Sequence, residues 1–323
     1  AQLSNEISIS DSTNLNGATA LAISPNGKHV YVVAQTSKSI VYWNRNAITG
    51  ALTNQVNKKD VSNFAGVMDI AISPYGKNIY TVSRDSNSMV YWTRDINSGA
   101  LTNQVDIVDS NKLKGLNGVA ISPDGKHVYA TALHANNIVW WVRNTETGAL
   151  ASFAFLNHAN FLNSINSVVV SPDGKHVYAN SVTPGNSIYL WTRNSDTGAL
   201  TNQIRYGPDA NNLKSSRRLA ISSDGKNLQV FNQNTIGILD YVVSFKRDTT
   251  TGKLSNIIIF DDDVNTKLLS AVHQDVISSW LGGGGTSFKL LYRMTRDGKS
   301  SSAFHNKADN KGDTVVIFNV KNK

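Results

Sequence analysis

Apolar and polar residues alternate along most of this chain in short runs broken by turn residues, a period of two that predicts β-strands. The runs repeat. Ser24-Pro25-Asn26-Gly27-Lys28-His29-Val30-Tyr31 returns as Ser73-Pro74-Tyr75-Gly76-Lys77-Asn78-Ile79-Tyr80, then from Ser122, from Ser171 and, in weaker form, from Ser222; the serines are 49, 49, 49 and 51 residues apart. A second phrase follows in each unit: Ile40-Val41-Tyr42-Trp43-Asn44-Arg45 precedes Thr49-Gly50-Ala51-Leu52-Thr53-Asn54-Gln55. Its aromatic position recurs as Trp92, Trp141, Trp191 and Phe245.

Each unit predicts four strands. The third unit has Val119-Ala120-Ile121, a Ser-Pro-Asp-Gly turn, His127–Thr131, Ile138–Val142, a turn through Asn144–Gly148, and a last strand at Ala149-Leu150. Proline presets φ in the first turn and glycine accepts a positive one. Four strands per unit of this length predict an all-β fold, a β-propeller of four-stranded blades. Five blades are recognisable, six or more with the terminal segments, over residues 1–260. A small α+β segment at 261–323 completes the expected organisation.

The SPDGKHVYV-type and RNTETGAL phrases resemble the lactonase-like seven-bladed propellers, which include the 6-phosphogluconolactonases of propeller type. The resemblance covers roughly residues 1–260 and implies the fold. It rests on scaffold phrases and carries no catalytic residue across.

The ends of the chain depart from the repeat. Ala1–Glu6 is similar to Ala51–Gln55, so the chain begins with an outer strand lacking its own first three. That strand is expected to pair elsewhere, because an open strand edge is a liability. Beyond Asp261–Asp263, apolar spacing predicts a helix over 267–281, ended by Gly282–Gly285, then strands at 288–293 and 314–318. With the phrases around Arg296-Asp297-Gly298, Phe304-His305 and Asp309–Gly312, this stretch resembles the opening of a TLD (TLDc) domain. Alternatively, its two strands and the N-terminal one make a sixth blade.

Candidate chemistry lies where the units differ. Before strand one stand Thr19-Ala20, Met68-Asp69, Asn117-Gly118, Asn166-Ser167 and Arg217-Arg218. After strand two stand Gln35-Thr36, Arg84-Asp85, His134-Ala135, Thr183-Pro184 and Gln233-Asn234. Asp69, Arg84, Asp85, Asn117, His134, Asn166, Arg217 and Arg218 are expected at a polar propeller mouth. Opening a lactone needs a base to activate water and cations to hold the developing oxyanion. His134, Arg217, Arg218 and Asp69 are the candidates for those roles, against the simpler expectation of a hydrated channel.

Lys28, Lys77, Lys126, Lys175 and Lys226 share one turn position and must form a ring on one face. They are candidates for an acidic polymer or surface, against a plain role in solubility. His29, His127 and His176 repeat without metal-ligand spacing and read as scaffold, as do the repeated tryptophans. No metal and no cofactor is expected.

The chain has 323 residues, 40% hydrophobic and 17% charged, with net charge +8 and no cysteine. That excludes disulfides and thiolate chemistry, and no apolar stretch is long enough for a membrane span. An Asn-, Ser- and Thr-rich surface without cysteine suggests a secreted protein; the TLD-like segment, if decisive, would place it in the cytoplasm. The leading expectation is a non-enzymatic binding or assembly propeller, acting on a protein partner or on itself through its faces and terminal strands. A lactonase-like hydrolase and a TLD-bearing adaptor are the alternatives.

Overall fold

The computed structural model describes residues 8–157, 164–182, 186–207, 213, 216–232 and 241–261. They form five four-stranded antiparallel blades set in a ring, a five-bladed β-propeller with no helix among the described residues. Blade 1 holds β1 (Ala18–Ile23), β2 (His29–Ala34), β3 (Ser39–Arg45) and β4 (Leu52–Lys59). Blade 2 holds β5 (Val67–Ile72), β6 (Asn78–Ser83), β7 (Ser88–Arg94) and β8 (Leu101–Val108). Blade 3 holds β9 (Leu116–Ile121), β10 (His127–Ala132), β11 (Asn137–Arg143) and β12 (Leu150–Asn157). Blade 4 holds β13 (Ile165–Val170), β14 (His176–Ser181), β15 (Ser187–Arg193) and β16 (Leu200–Tyr206). Blade 5 holds β17 (Ser216–Ile221), β18 (Asn227–Asn232), β19 (Tyr241–Arg247) and β20 (Leu254–Asp261), which reaches one residue past the expected boundary at 260.

Each blade is a meander whose register the turns set. In blade 3, Val128 faces Ile121 on one side and Trp141 on the other. Ser122 Oγ accepts the N–H of His127 at 3.0 Å and reaches Asp124 Oδ1, while the Gly125 N–H closes the turn onto Ser122 O at 2.8 Å. Gly125 has φ +71°, which explains the glycine of the repeated phrase.

In blades 1 to 4 the second and third strands are largely buried on both faces, in blade 5 β18 is buried only at alternate residues, and the outer strands of blades 1 to 4 are largely exposed. Four apolar clusters fill the spaces between blades 1 and 2, 2 and 3, 3 and 4, and 4 and 5. The repeated tryptophans belong to this packing. Trp92 and Trp191 are fully buried, and their indole N–H groups donate to Gln104 and Gln203 at 3.2 Å.

The expected strand at residues 1–7, the helix and strands beyond Asp261, and hence the TLD-like and sixth-blade readings, lie outside the described residues. So do Thr183-Pro184 and Gln233-Asn234.

Candidate functional site

The inner strands β1, β5, β9, β13 and β17 lie side by side in that order around the axis. Their third residues are Ala20, Asp69, Gly118, Ser167 and Arg218. A repeat fixes the backbone at these places but not the side chain, so unlike groups meet at one level of the channel. There Ala20, Asp69, Ser167 and Arg218 line a cavity of about 340 Å³, to which β9 contributes Val119.

Asp69 and Arg218 meet in it. Arg218 Nη1 lies 3.0 Å from Asp69 Oδ2, and Arg218 Nη2 donates to the carbonyl of Met68 at 2.8 Å. The Val119 N–H also donates to Asp69 Oδ2, at 3.1 Å. Burial pushes the Asp69 carboxyl above its ordinary value; the Arg218 charge and the hydrogen bonds oppose that without cancelling it. A carboxyl raised towards neutrality beside a guanidinium can hold or move a proton, and the guanidinium can take an anionic oxygen.

The asparagines do different work. Asn117 Nδ2 donates to Asn166 Oδ1 at 2.5 Å, and Asn166 Nδ2 donates to the carbonyl of Arg217 at 2.6 Å. Both are buried, and together they tie blades 3, 4 and 5 across their inner strands. Arg217 takes part through its backbone, and its side chain is exposed.

The remaining candidates stand apart. His134 is exposed in the turn after β10, and among the described residues no hydrogen bond or ion pair joins its side chain to Asp69, Arg217 or Arg218. Arg84 and Asp85 pair with each other, Nε to Oδ1 at 3.1 Å, after β6. The five lysines are all exposed at one turn, and Lys77 pairs with Glu146 at 3.3 Å. Near them sit carboxylates already engaged: Asp124 and Asp173 pair with Arg193 and Arg247 at 2.8 and 2.9 Å. Burial pushes both carboxyls up, but the hydrogen bonds and the arginines together hold them below their usual value.

Polar residues in second strands escape a reading based on loops. Thr131 Oγ1 donates to the Asn166 carbonyl at 2.7 Å, and Asn180 Nδ2 donates to the Ser216 carbonyl at 2.6 Å. The signal was available, since the same position is Val33 and Val82 in blades 1 and 2.

The repeated histidines are scaffold. Nδ1 of His29, His127 and His176 lies 2.6, 2.6 and 2.7 Å from Nη2 of Arg94, Arg193 and Arg247, each in the following blade. Burial, then the arginine charge, lowers all three below the ordinary histidine value, so the neutral ring accepts the bond. Among the described residues no group of three His, Asp or Glu side chains is placed to hold a metal ion.

The sequence matches the family described as lactonase, 7-bladed β-propeller, over residues 55–157 and 157–262. Comparison with curated proteins gives no match. Among solved structures, the periplasmic gluconolactonase of Pseudomonas aeruginosa superposes with TM-score 0.62 at 17% identity, covering 77% of this chain and 71% of that one. A protein from Lactobacillus plantarum gives TM-score 0.60 at 19% identity over 75% and 70% of the two chains. A putative 6-phosphogluconolactonase from Bacteroides uniformis gives 0.58 at 20%, over 73% and 69%. At such identities these likenesses speak to the fold alone.

Proposed function

The chain belongs to the lactonase, 7-bladed β-propeller family, and within it we propose a non-enzymatic binding propeller that engages a protein partner or a second copy through its faces. One observation carries this reading. The polar side chains of the inner strands are committed to bonds between blades, and the candidate base His134 stands apart from them. Catalysis of lactone opening asks for a base and an oxyanion donor converging on one reacting atom; here the donors are divided among backbone carbonyls, Asn166 Oδ1 and the Asp69 carboxylate. The exposed lysine ring offers the more accessible surface, and an acidic partner is the chemistry it suits.

A second reading, a lactonase-like hydrolase, is favoured by Asp69. Its raised carboxyl faces the cavity beside Arg218, and two of the superposed proteins are named as a gluconolactonase and a putative 6-phosphogluconolactonase.

The two are separated by assaying gluconolactone and 6-phosphogluconolactone hydrolysis over the spontaneous rate, with Asp69→Asn as comparison. The binding reading expects no saturable activity, together with polyglutamate binding that weakens as salt rises. Saturable hydrolysis abolished by Asp69→Asn would establish the hydrolase instead.

A further inference from the structure

The turn between the first two strands carries an aspartate in blades 3, 4 and 5, and in blade 2 it does not. In blade 3 Asp124 accepts the Ser122 hydroxyl at 2.5 Å and the Lys126 N–H at 3.0 Å. Arg193 of the next blade adds a third donor, Nη2 to Asp124 Oδ2 at 2.8 Å. Asp173 in blade 4 repeats the arrangement with Ser171, Lys175 and Arg247, at 2.5, 3.1 and 2.9 Å. In blade 1 Asn26 keeps the two turn bonds without the charge, from Ser24 at 2.7 Å and from Lys28 at 3.2 Å.

Tyr75 stands at that position in blade 2, and the frame around it is unchanged. The Gly76 N–H closes the turn onto Ser73 O at 2.8 Å, the Asn78 N–H donates to Ser73 Oγ at 3.1 Å, and Arg143 Nη1 holds the Gly125 carbonyl at 2.9 Å. The counterparts around Asp124 measure 2.8, 3.0 and 2.9 Å. Three donors are left over. The Ser73 hydroxyl, the Lys77 N–H and the second hydrogen of Arg143 Nη2, whose first goes to Asn78 Oδ1, have no acceptor among the described residues. Tyr75 is 67% exposed, and its side chain bonds to none of them.

We propose that the turn at Tyr75 binds a carboxylate brought by a ligand, seated where Asp124 and Asp173 place their own. Charge supports this occupant. Arg143 is buried, and its partners Tyr80, Gly125 and Asn78 are all neutral, whereas the buried Arg193 and Arg247 each face a carboxylate. A buried guanidinium gains from a hydrogen-bonded anion because water does not screen it there. Access supports it as well. The Asp124 and Asp173 side chains are 33% and 28% exposed, so a group at this place is reached from solvent.

The chain's own carboxylates leave the three donors alone. Glu146 reaches the Lys77 ammonium at 3.3 Å and none of the three, and its side chain is 80% exposed. The inference deepens the binding reading above and rests on it only for the partner, since an acidic polypeptide would present such a group as an Asp or Glu side chain. A free small carboxylate has the same chemistry, and the two sources are separable.

The probe is acetate, titrated into the full chain while the Lys77 backbone amide is followed by NMR. A saturable shift is expected, with acetamide, which has the shape without the charge, at least about tenfold weaker. Tyr75→Asn is expected to fold, since Asn26 occupies the same turn in blade 1, and to lose the response without adding charge. No saturable shift, or one unchanged in Tyr75→Asn, would overturn the proposal. Polyglutamate then identifies the source. A loss of at least about tenfold in its affinity on Tyr75→Asn, the size of one charged hydrogen bond, makes an acidic side chain the occupant; unchanged affinity beside an intact acetate response makes it a free carboxylate. If polyglutamate does not bind the unsubstituted chain at all, the binding reading of the protein fails, while the acetate titration still decides the site.

Discussion

Nε of Arg143 donates to the hydroxyl of Tyr80 at 2.7 Å, and the same hydroxyl donates to the carbonyl of Gly148 at 2.6 Å. The arginine is anchored at its other nitrogens by the carbonyl of Gly125 and by Asn78 Oδ1. Blade 3 thereby grips blade 2 through a buried guanidinium whose N–H groups find partners on both sides. Burial, offset in part by Arg143, pushes the Tyr80 hydroxyl up to about 12, so it remains a donor at any ordinary pH.

Tyr80→Phe removes that hydroxyl and leaves the Arg143 Nε–H and the Gly148 carbonyl without it. A buried hydrogen bond to a charged group is worth about 1.5–3 kcal/mol, and destabilisation of that size is expected in urea unfolding. Tyr91→Phe, on a less buried neighbouring ring, is expected to change stability much less.

The lowered histidines set a pH dependence. Below their ordinary value of 6.5, the unfolded chain binds protons at positions 29, 127 and 176 that the folded chain refuses. Stability from these sites is therefore fully present above that pH and falls as pH drops below it, with a slope of at most three protons. Asn78 does the same bonding in blade 2 without titrating. The triple variant H29N/H127N/H176N is expected to fold and to flatten the fall between about pH 7.5 and 5.5, read as the urea midpoint at each pH.

Asp69→Ala leaves the Arg218 guanidinium and the Val119 N–H without their shared acceptor. Arg218 is one-third exposed, so water relieves part of the loss. A destabilisation of about 2 kcal/mol is expected, between the values for buried and surface pairs. Asp69→Asn, which keeps an acceptor for Val119, is expected to lose less, and calorimetry of the two variants gives the comparison.

Gly118 sits at the close approach of blades 3 and 4. A methyl group there would stand 2.9 Å from the Asn166 carbonyl and 3.0 Å from both Ser167 Cα and Thr131 Oγ1. Backbone cannot yield as a flexible side chain does, so Gly118→Ala is expected to destabilise by about 1–3 kcal/mol, as overpacking does. A thermal scan should show it, and Ala20→Gly at the equivalent place in blade 1 should have the smaller effect.

Much of this molecule is written in its periodicity. The 49-residue repeat, the Pro and Gly of the first turn, and the period of two in His127–Thr131 determine strand number, hairpin register and blade identity, because these depend on bonds between neighbours in sequence. The lysine ring and the buried tryptophans follow as well, since a repeated position must occupy a repeated place. By the same logic the variable positions Asp69, Arg218, Asn117 and Asn166 fall on inner strands.

Which of them would meet was not legible. Asp69 and Arg218 belong to blades 2 and 5, and Tyr80 finds Arg143 at a separation of 63 residues. Such pairs depend on how blades tilt and close about the axis, a property of side-chain packing between sheets that no local pattern encodes. His134 and Asp69 look equally fit for a site in the sequence; only the tertiary structure leaves one exposed on a turn and half-buries the other beside an arginine, because burial and charge environment are set by neighbours far away in the chain.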